Sequence, residues 1–141
     1  MTGEPQRYLI FRQSGRIMAL ELSQVAEVAE LTEIWPIPLA PACYPGAMNF
    51  HGTIVAVMDL ARFFGLPSDS PPEKTIIIDT AIASLALRVE QVLRIVLLSP
   101  ADVAPPPDEP FAAGVLHLPE GEALLLDAAA IAVRAGETIN I

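Results

Sequence analysis

The chain has 141 residues, enough for one ordinary domain or for two very small lobes sharing a core. Hydrophobic residues make up 52% of it, which excludes a disordered chain, and a net charge of −9 excludes the basic face of a nucleic-acid binder and adhesion to anionic membranes. Cys43 is the single cysteine, so no intrachain disulfide forms, as suits a reducing cytoplasm. Met1 to Arg7 lacks the basic-then-apolar order of a signal peptide, and no apolar run reaches the about 18 residues of a membrane span.

In chain order, Tyr8 to Gln13 reads as a strand, Ser14-Gly15 as a tight turn and Arg16 to Leu22 as the returning strand. Ser23 starts a short turn before Val25, Val28 and Leu31. Trp35 to Pro41 is an extended connection, because each Pro removes a ladder donor. Met48 and Phe50 alternate with Ala47 and Asn49, His51-Gly52 turns, and Ile54 to Met58 returns. Asp59 is expected to cap a helix over Leu60 to Phe64, with Gly65 closing it in a left-handed conformation. Leu66 to Pro72 is the clearest linker. Strands are expected over Lys74 to Thr80, Ile82 to Val89 and Val92 to Leu98, followed by an irregular Pro100 to Pro110. Gly114 to Leu118 and Ala123 to Leu126 form a last hairpin, and Asp127 caps a helix from Ala128 to Arg134. Roughly ten short strands in close hairpins point to small barrels.

The chain states this plan twice, about 67 residues apart. Met18 to Val28 is echoed by Leu85 to Ile95. Gly46 to Phe64 is echoed by Gly114 to Val133, with Asp59 and Asp127 each 13 residues after the leading Gly. A repeat of this kind predicts two similar lobes, approximately 1–70 and 71–141, within a single domain spanning 1–141, with strand exchange between them an open possibility.

Catalytic chemistry has no foothold in the pattern. His51 and His117 lack second ligands at metal-binding spacing, and neither a phosphate-cradling Gly loop nor a nucleophile elbow is present. Cys43 has no charged neighbour to activate a thiolate. Capping accounts for Asp59 and Asp127. For Glu27 and Glu90 a solvated outward position on a strand and a functional role stand equally open, and the valines flanking Glu90 point to a different environment from the acid. No enzyme, cofactor or metal is expected.

Gly46, Asn49, Gly52, Asp59 and Leu60 fall in register with a pattern, roughly Gly-Val-x-Asn-x-Arg-Gly-x-Ile-Val-Pro-Val-x-Asp-Leu. In this the chain resembles the CheW family of chemotaxis adaptors. The opening Tyr8 to Phe11, then Val25 to Val28, Ile37 to Pro41, Val89 to Val92 and Leu124 to Asp127 agree in order. His51 stands where the family has Arg, and Ala56 where it has Pro.

The resemblance implies a mostly β fold of two small SH3-like five-stranded barrels with short helices. It implies a non-catalytic scaffold in the cytoplasm, recruited to receptor arrays. Such a scaffold links the cytoplasmic tip of a methyl-accepting chemoreceptor, a helical hairpin, to the regulatory domain of a CheA-type histidine kinase, without inserting into the membrane or binding nucleic acid. The kinase-binding residues it implies are Val25, Glu27, Val28, His51 and Ile54, with Glu27 and His51 paired. An apolar groove between lobes receives the receptor helix, with Leu87, Val89, Val92 and Leu93 as its residues. His lacks the permanent charge and bidentate fork of Arg, so the Glu27–His51 pair is expected to be weak. An adaptor for pili or gliding, and a small-molecule module using the cleft between lobes, stay open as alternatives. The length leaves no room for an attached receiver or kinase domain.

Overall fold

A strand sends successive side chains to opposite faces. Most strands here are apolar on both faces, so each sheet needs a core on each side. The computed structural model describes residues 3–138 and supplies those cores. Met1 and Thr2 of the polar opening, and residues 139–141 at the far end, lie outside the described residues.

Two sheets form. The first contains β1 (Gln6–Gln13), β2 (Arg16–Glu21), β8 (Gln91–Leu98), β9 (Val103–Ala104), β10 (Ala112–Leu118) and β11 (Gly121–Leu126), in the order β8-β1-β2-β11-β10-β9. The second contains β3 (Val25–Glu30), β4 (Gly46–Phe50), β5 (Thr53–Asp59), β6 (Lys74–Ile78) and β7 (Leu85–Val89), in the order β3-β6-β7-β5-β4. Helix α1 (Leu60–Phe64) follows β5, and α2 (Ala128–Thr138) follows β11 and runs past the expected end at Arg134. Strand β7 begins at Leu85 rather than Ile82, because the Asp79 carbonyl and carboxylate hold residues 81–83 in a turn. Short β9 lies inside the stretch expected to be irregular.

The duplication is present in the sheets themselves. Repeat one (β1 to β5 with α1) matches repeat two (β6, β7, β8, β10, β11 with α2). Apart from β9, which has no repeat partner, replacing each strand of one sheet by its repeat partner gives the order of the other sheet. Register agrees as well. Parallel β11 and β2 pair Leu124 with Met18 and Leu125 with Ala19, and the equivalent Ala56 pairs with Leu85 and Val57 with Ala86 in parallel β5 and β7. The ladders of β3 and β8 slip at equivalent places, leaving Ala26 and Leu93 as the extra residues of two β-bulges.

The sheets do not follow the expected halves 1–70 and 71–141. Each half contributes strands to both sheets. After β2 the chain crosses through a 3-10 turn, Leu22–Gln24, into the second sheet, and after β7 it crosses back at Glu90. Each sheet is therefore the hairpin of one repeat joined to three strands of the other, with β9 added at the edge of the first. A strand with two apolar faces makes this favourable, because both faces find a partner layer.

Three cores result. Tyr8, Ile10, Ala19, Val96, Leu116 and Leu125 fill the first lobe. Met48, Val55, Val57, Ile77 and Ala86 fill the second. The intervening residues of the same strands, among them Leu9, Phe11, Met58, Ile76, Leu87 and Leu126, meet in a larger core between the lobes. Each such side chain contributes about 1.5–3 kcal/mol by leaving water. Gly46 and Gly114 mark the closest backbone approaches. A Cβ on Gly46 would run into the Trp35 carbonyl oxygen, and one on Gly114 would lie 3.0 Å from that of Ala104.

Candidate docking face

Strand β3 is one edge of the second sheet, and β4 is the other. The sheet curls until these edges meet. Trp35, just beyond β3, pairs with Ala47 of β4, and Ala29 and Ile34 pack with Met48 and Phe50. At this seam the β4–β5 turn presents His51. The turn is left-handed at His51 (φ 49°) and Gly52 (φ 85°), and the Asn49 side-chain oxygen accepts the Gly52 N–H at 2.8 Å. The His51 ring sits 4.3 Å from that of Phe50, centroid to centroid. Its Nε2 lies 3.9 Å from Glu27 Oε1 across the seam.

Val28 (36% exposed) and Ile54 (71%) are open to solvent beside this pair. Val25 is half-buried and packs onto the core between the lobes. The bulge at Ala26 separates their roles: Val25 turns inward, while Glu27 and Val28 stay outside. Of the five expected kinase-face residues, Glu27, Val28, His51 and Ile54 are exposed around this seam, and Val25 turns inward. An exposed imidazole at 3.9 Å, charged only when protonated, makes a loose and water-screened pair.

The equivalent seam of the first sheet carries the opposite polarity. Arg94 of β8, the repeat partner of Glu27, donates to the Glu120 carboxylate from Nη2 at 2.7 Å and from Nε at 3.2 Å. That fork holds the Glu120 carboxyl below the usual range. Of the two equivalent seams, the first lobe's therefore carries a forked Arg–carboxylate pair and the second lobe's a looser one.

The expected receptor groove is corrected by burial. Leu87 and Val89 are fully buried in the core between the lobes, where no partner reaches them. Strand β7 turns Leu85, Leu87 and Val89 to the core between the lobes and Ala86 to that of the second lobe. Val92 and Leu93 are half-buried, but the bulge at Leu93 sends them to different cores: Val92 to the core between lobes, Leu93 to the first lobe.

The model of the CheW-like domain family matches residues 7–135. The chain belongs to the CheW-like domain family. Among its relatives, the chemotaxis protein CheW of Rhizobium meliloti (strain 1021) is 28% identical over 134 residues, covering 89% of this chain and 86% of that protein. The chemotaxis protein CheW of Thermotoga maritima is 31% identical over 91 residues, covering 62% of this chain and 60% of that one. The crystal structure of the scaffolding protein TtCheW from Thermoanaerobacter tengcongensis superposes with a TM-score of 0.78 at 23% identity, covering 86% of this chain and 88% of that chain. This likeness establishes the CheW-like fold.

Within that fold, both expected caps form. Asp59 accepts the Arg62 N–H at 3.2 Å, and Asp127 accepts the Ala130 N–H at 3.0 Å. Gly65 closes α1 at φ 69°. Of the two readings open for Glu90, burial excludes the solvated one, for it is 4% exposed. Its carboxylate accepts from Gln13 Nε2 at 2.8 Å, from the Ser14 N–H, and from the Ser70 N–H and hydroxyl at 3.0 and 3.2 Å. Its own N–H donates to Gln13 Oε1 at 2.9 Å. Glu90 thus ties the β1–β2 turn and the 66–72 linker to the second sheet crossing. The acid between valines was visible in sequence, but its donors come from residues 20 and about 77 positions away. Cys43 is half-buried, and burial pushes its thiol pKa up, the opposite of nucleophile activation. Among the described residues, no group of three or more His, Cys, Asp or Glu is placed to hold a metal ion, and no helix is long and apolar enough to cross a membrane.

Proposed function

We propose that this chain is a non-catalytic scaffold that couples chemoreceptor cytoplasmic tips to a CheA-type histidine kinase, working in the cytoplasm on receptor arrays. Membership of the CheW-like domain family supports the scaffold role. The observation that carries the kinase contact is the seam where Glu27 meets His51 between exposed Val28 and Ile54. An apolar pair flanked by a charged edge suits a protein interface, which joins an apolar centre to a polar rim. Val25 lies beneath it and fixes the strand. On the receptor side, half-buried Val92 is the residue we retain as a contact, with Leu93 supporting the bulge beside it.

The test is a titration against the regulatory fragments of the CheA-type kinases encoded in the same genome, each with and without a receptor-tip fragment. Saturable binding to one of them is expected. His51→Arg should tighten that complex by about 1 kcal/mol, roughly fivefold, because a guanidinium adds permanent charge and a fork on Glu27. A folded protein that binds none of them contradicts kinase coupling. An unchanged affinity for His51→Arg removes residue 51 from the contact.

A further inference from the structure

The two equivalent seams differ in the kind of cation they hold. The first lobe has Arg94 forked on Glu120, a charge that no ordinary pH removes. The second has His51, whose Nε2 lies 3.9 Å from Glu27 Oε1. An imidazole is the side chain that gains or loses its charge between about pH 5 and 8. The His51 ring is braced where it stands. The hydrogen bond from the Gly52 N–H to the Asn49 side chain fixes its left-handed turn, and the Phe50 ring lies 4.3 Å away.

The charges around the turn leave Glu27 to His51. Glu30, further along β3, is ion-paired with Lys74 of β6, and Arg88 of β7 donates to the Thr32 carbonyl at 3.3 Å. Glu33 follows in the loop toward Trp35. Strand β4 carries no charge, and Asp59, at the far end of β5, caps α1. Among the described residues, Glu27 alone is ion-paired with His51, and His51 alone with Glu27.

This pair is open to water, with side-chain exposures of 76% for His51 and 49% for Glu27, so it weighs little in the free chain. A partner seated on Val28 and Ile54 covers it. A carboxylate covered alone loses its water and has no counter-charge, which is costly, whereas one covered beside an imidazolium stays paired. The Phe50 face also attracts a cation once water is withdrawn. The covered seam therefore favours the protonated ring, and a complex that favours protonation tightens as pH falls.

We propose that docking at this seam is gated by a proton: His51 takes one up as the kinase covers it, so the scaffold grips its kinase more tightly when the surroundings acidify. This rests on the kinase face proposed above.

The test measures the affinity of the full chain for the regulatory fragments of the CheA-type kinases of the same genome, at about pH 8 and about pH 5.5. That span covers the imidazole and stays above the ordinary glutamate value of about 4.3. The parent should bind about fivefold more tightly at the lower pH. His51→Arg should bind tightly at both, and His51→Gln weakly at both. Glu27→Gln should lose the pH dependence although His51 is present. His117→Gln should keep it, because His117 faces Glu122 at 3.7 Å on the first lobe's hairpin. Groups on the kinase titrate alike beside every variant and cancel in the comparison. If His51→Arg binds while the parent's affinity ignores pH, the gate is overturned and the kinase face stands. A pH dependence that survives in His51→Gln, or that vanishes in His117→Gln, likewise overturns the gate alone. No binding at either pH, by the parent or by His51→Arg, overturns the kinase face and the gate with it.

Discussion

Glu90 is the residue whose environment departs furthest from its type. A carboxylate is seldom buried, and here four donors from two distant segments converge on it. Truncating it strands those donors, so Glu90→Ala should cost about 3 kcal/mol in denaturant unfolding. Glu90→Gln keeps an acceptor and should cost about half as much. A loss within about 0.5 kcal/mol for Glu90→Ala, the ordinary range for surface changes, would show that the network does not hold the linker. The residue scale was also the hardest to read in the sequence. Asp59, Asp127 and Gly65 were legible because their partners lie within a turn of the chain. The surroundings of Glu90, and the burial of Leu87 and Val89, were not. A strand's apolar residue reads the same whether its face meets solvent, a partner or a second sheet, and only the assembled layers decide which.

At the scale of elements, two Arg–carboxylate forks join segments that no ladder connects. Arg16 at the start of β2 holds Glu109 of the loop before β10, and Arg94 of β8 holds Glu120 of the β10–β11 turn. In each case the hydrogen bond from Arg is the chief cause that lowers the carboxyl pKa. A lowered native pKa means that the stabilisation is fully present above the ordinary glutamate value of about 4.3, and is lost as pH falls through the native one. The parent should therefore lose melting temperature between about pH 5 and pH 3, and the double variant Glu109→Gln, Glu120→Gln should lose less over that span. Equal slopes would show that these exposed pairs are screened to nothing. Hairpins, turns and caps were readable at this scale because their signals are local. Helix α2 runs past Arg134 because Ala135 has an apolar site to fill, which its own sequence does not announce.

At the scale of the whole molecule, the repeat was legible and its wiring was not. Matching strings 67 residues apart announce two equivalent units, but not that each sheet borrows a hairpin from the other unit. That exchange follows from strands apolar on both faces, and it makes the two lobes one cooperative body around a shared core. It also gives the molecule two equivalent seams, of which the Glu27–His51 seam is the one assigned to the kinase. The most direct measurement is the affinity of the kinase regulatory fragment for Glu27→Lys beside the parent chain, both shown folded by thermal melting. Glu27 is half exposed and makes no core contact, so the fold should stand while the complex weakens at least about fivefold, near 1 kcal/mol. Equal affinities would place the kinase elsewhere and contradict the assignment of this seam.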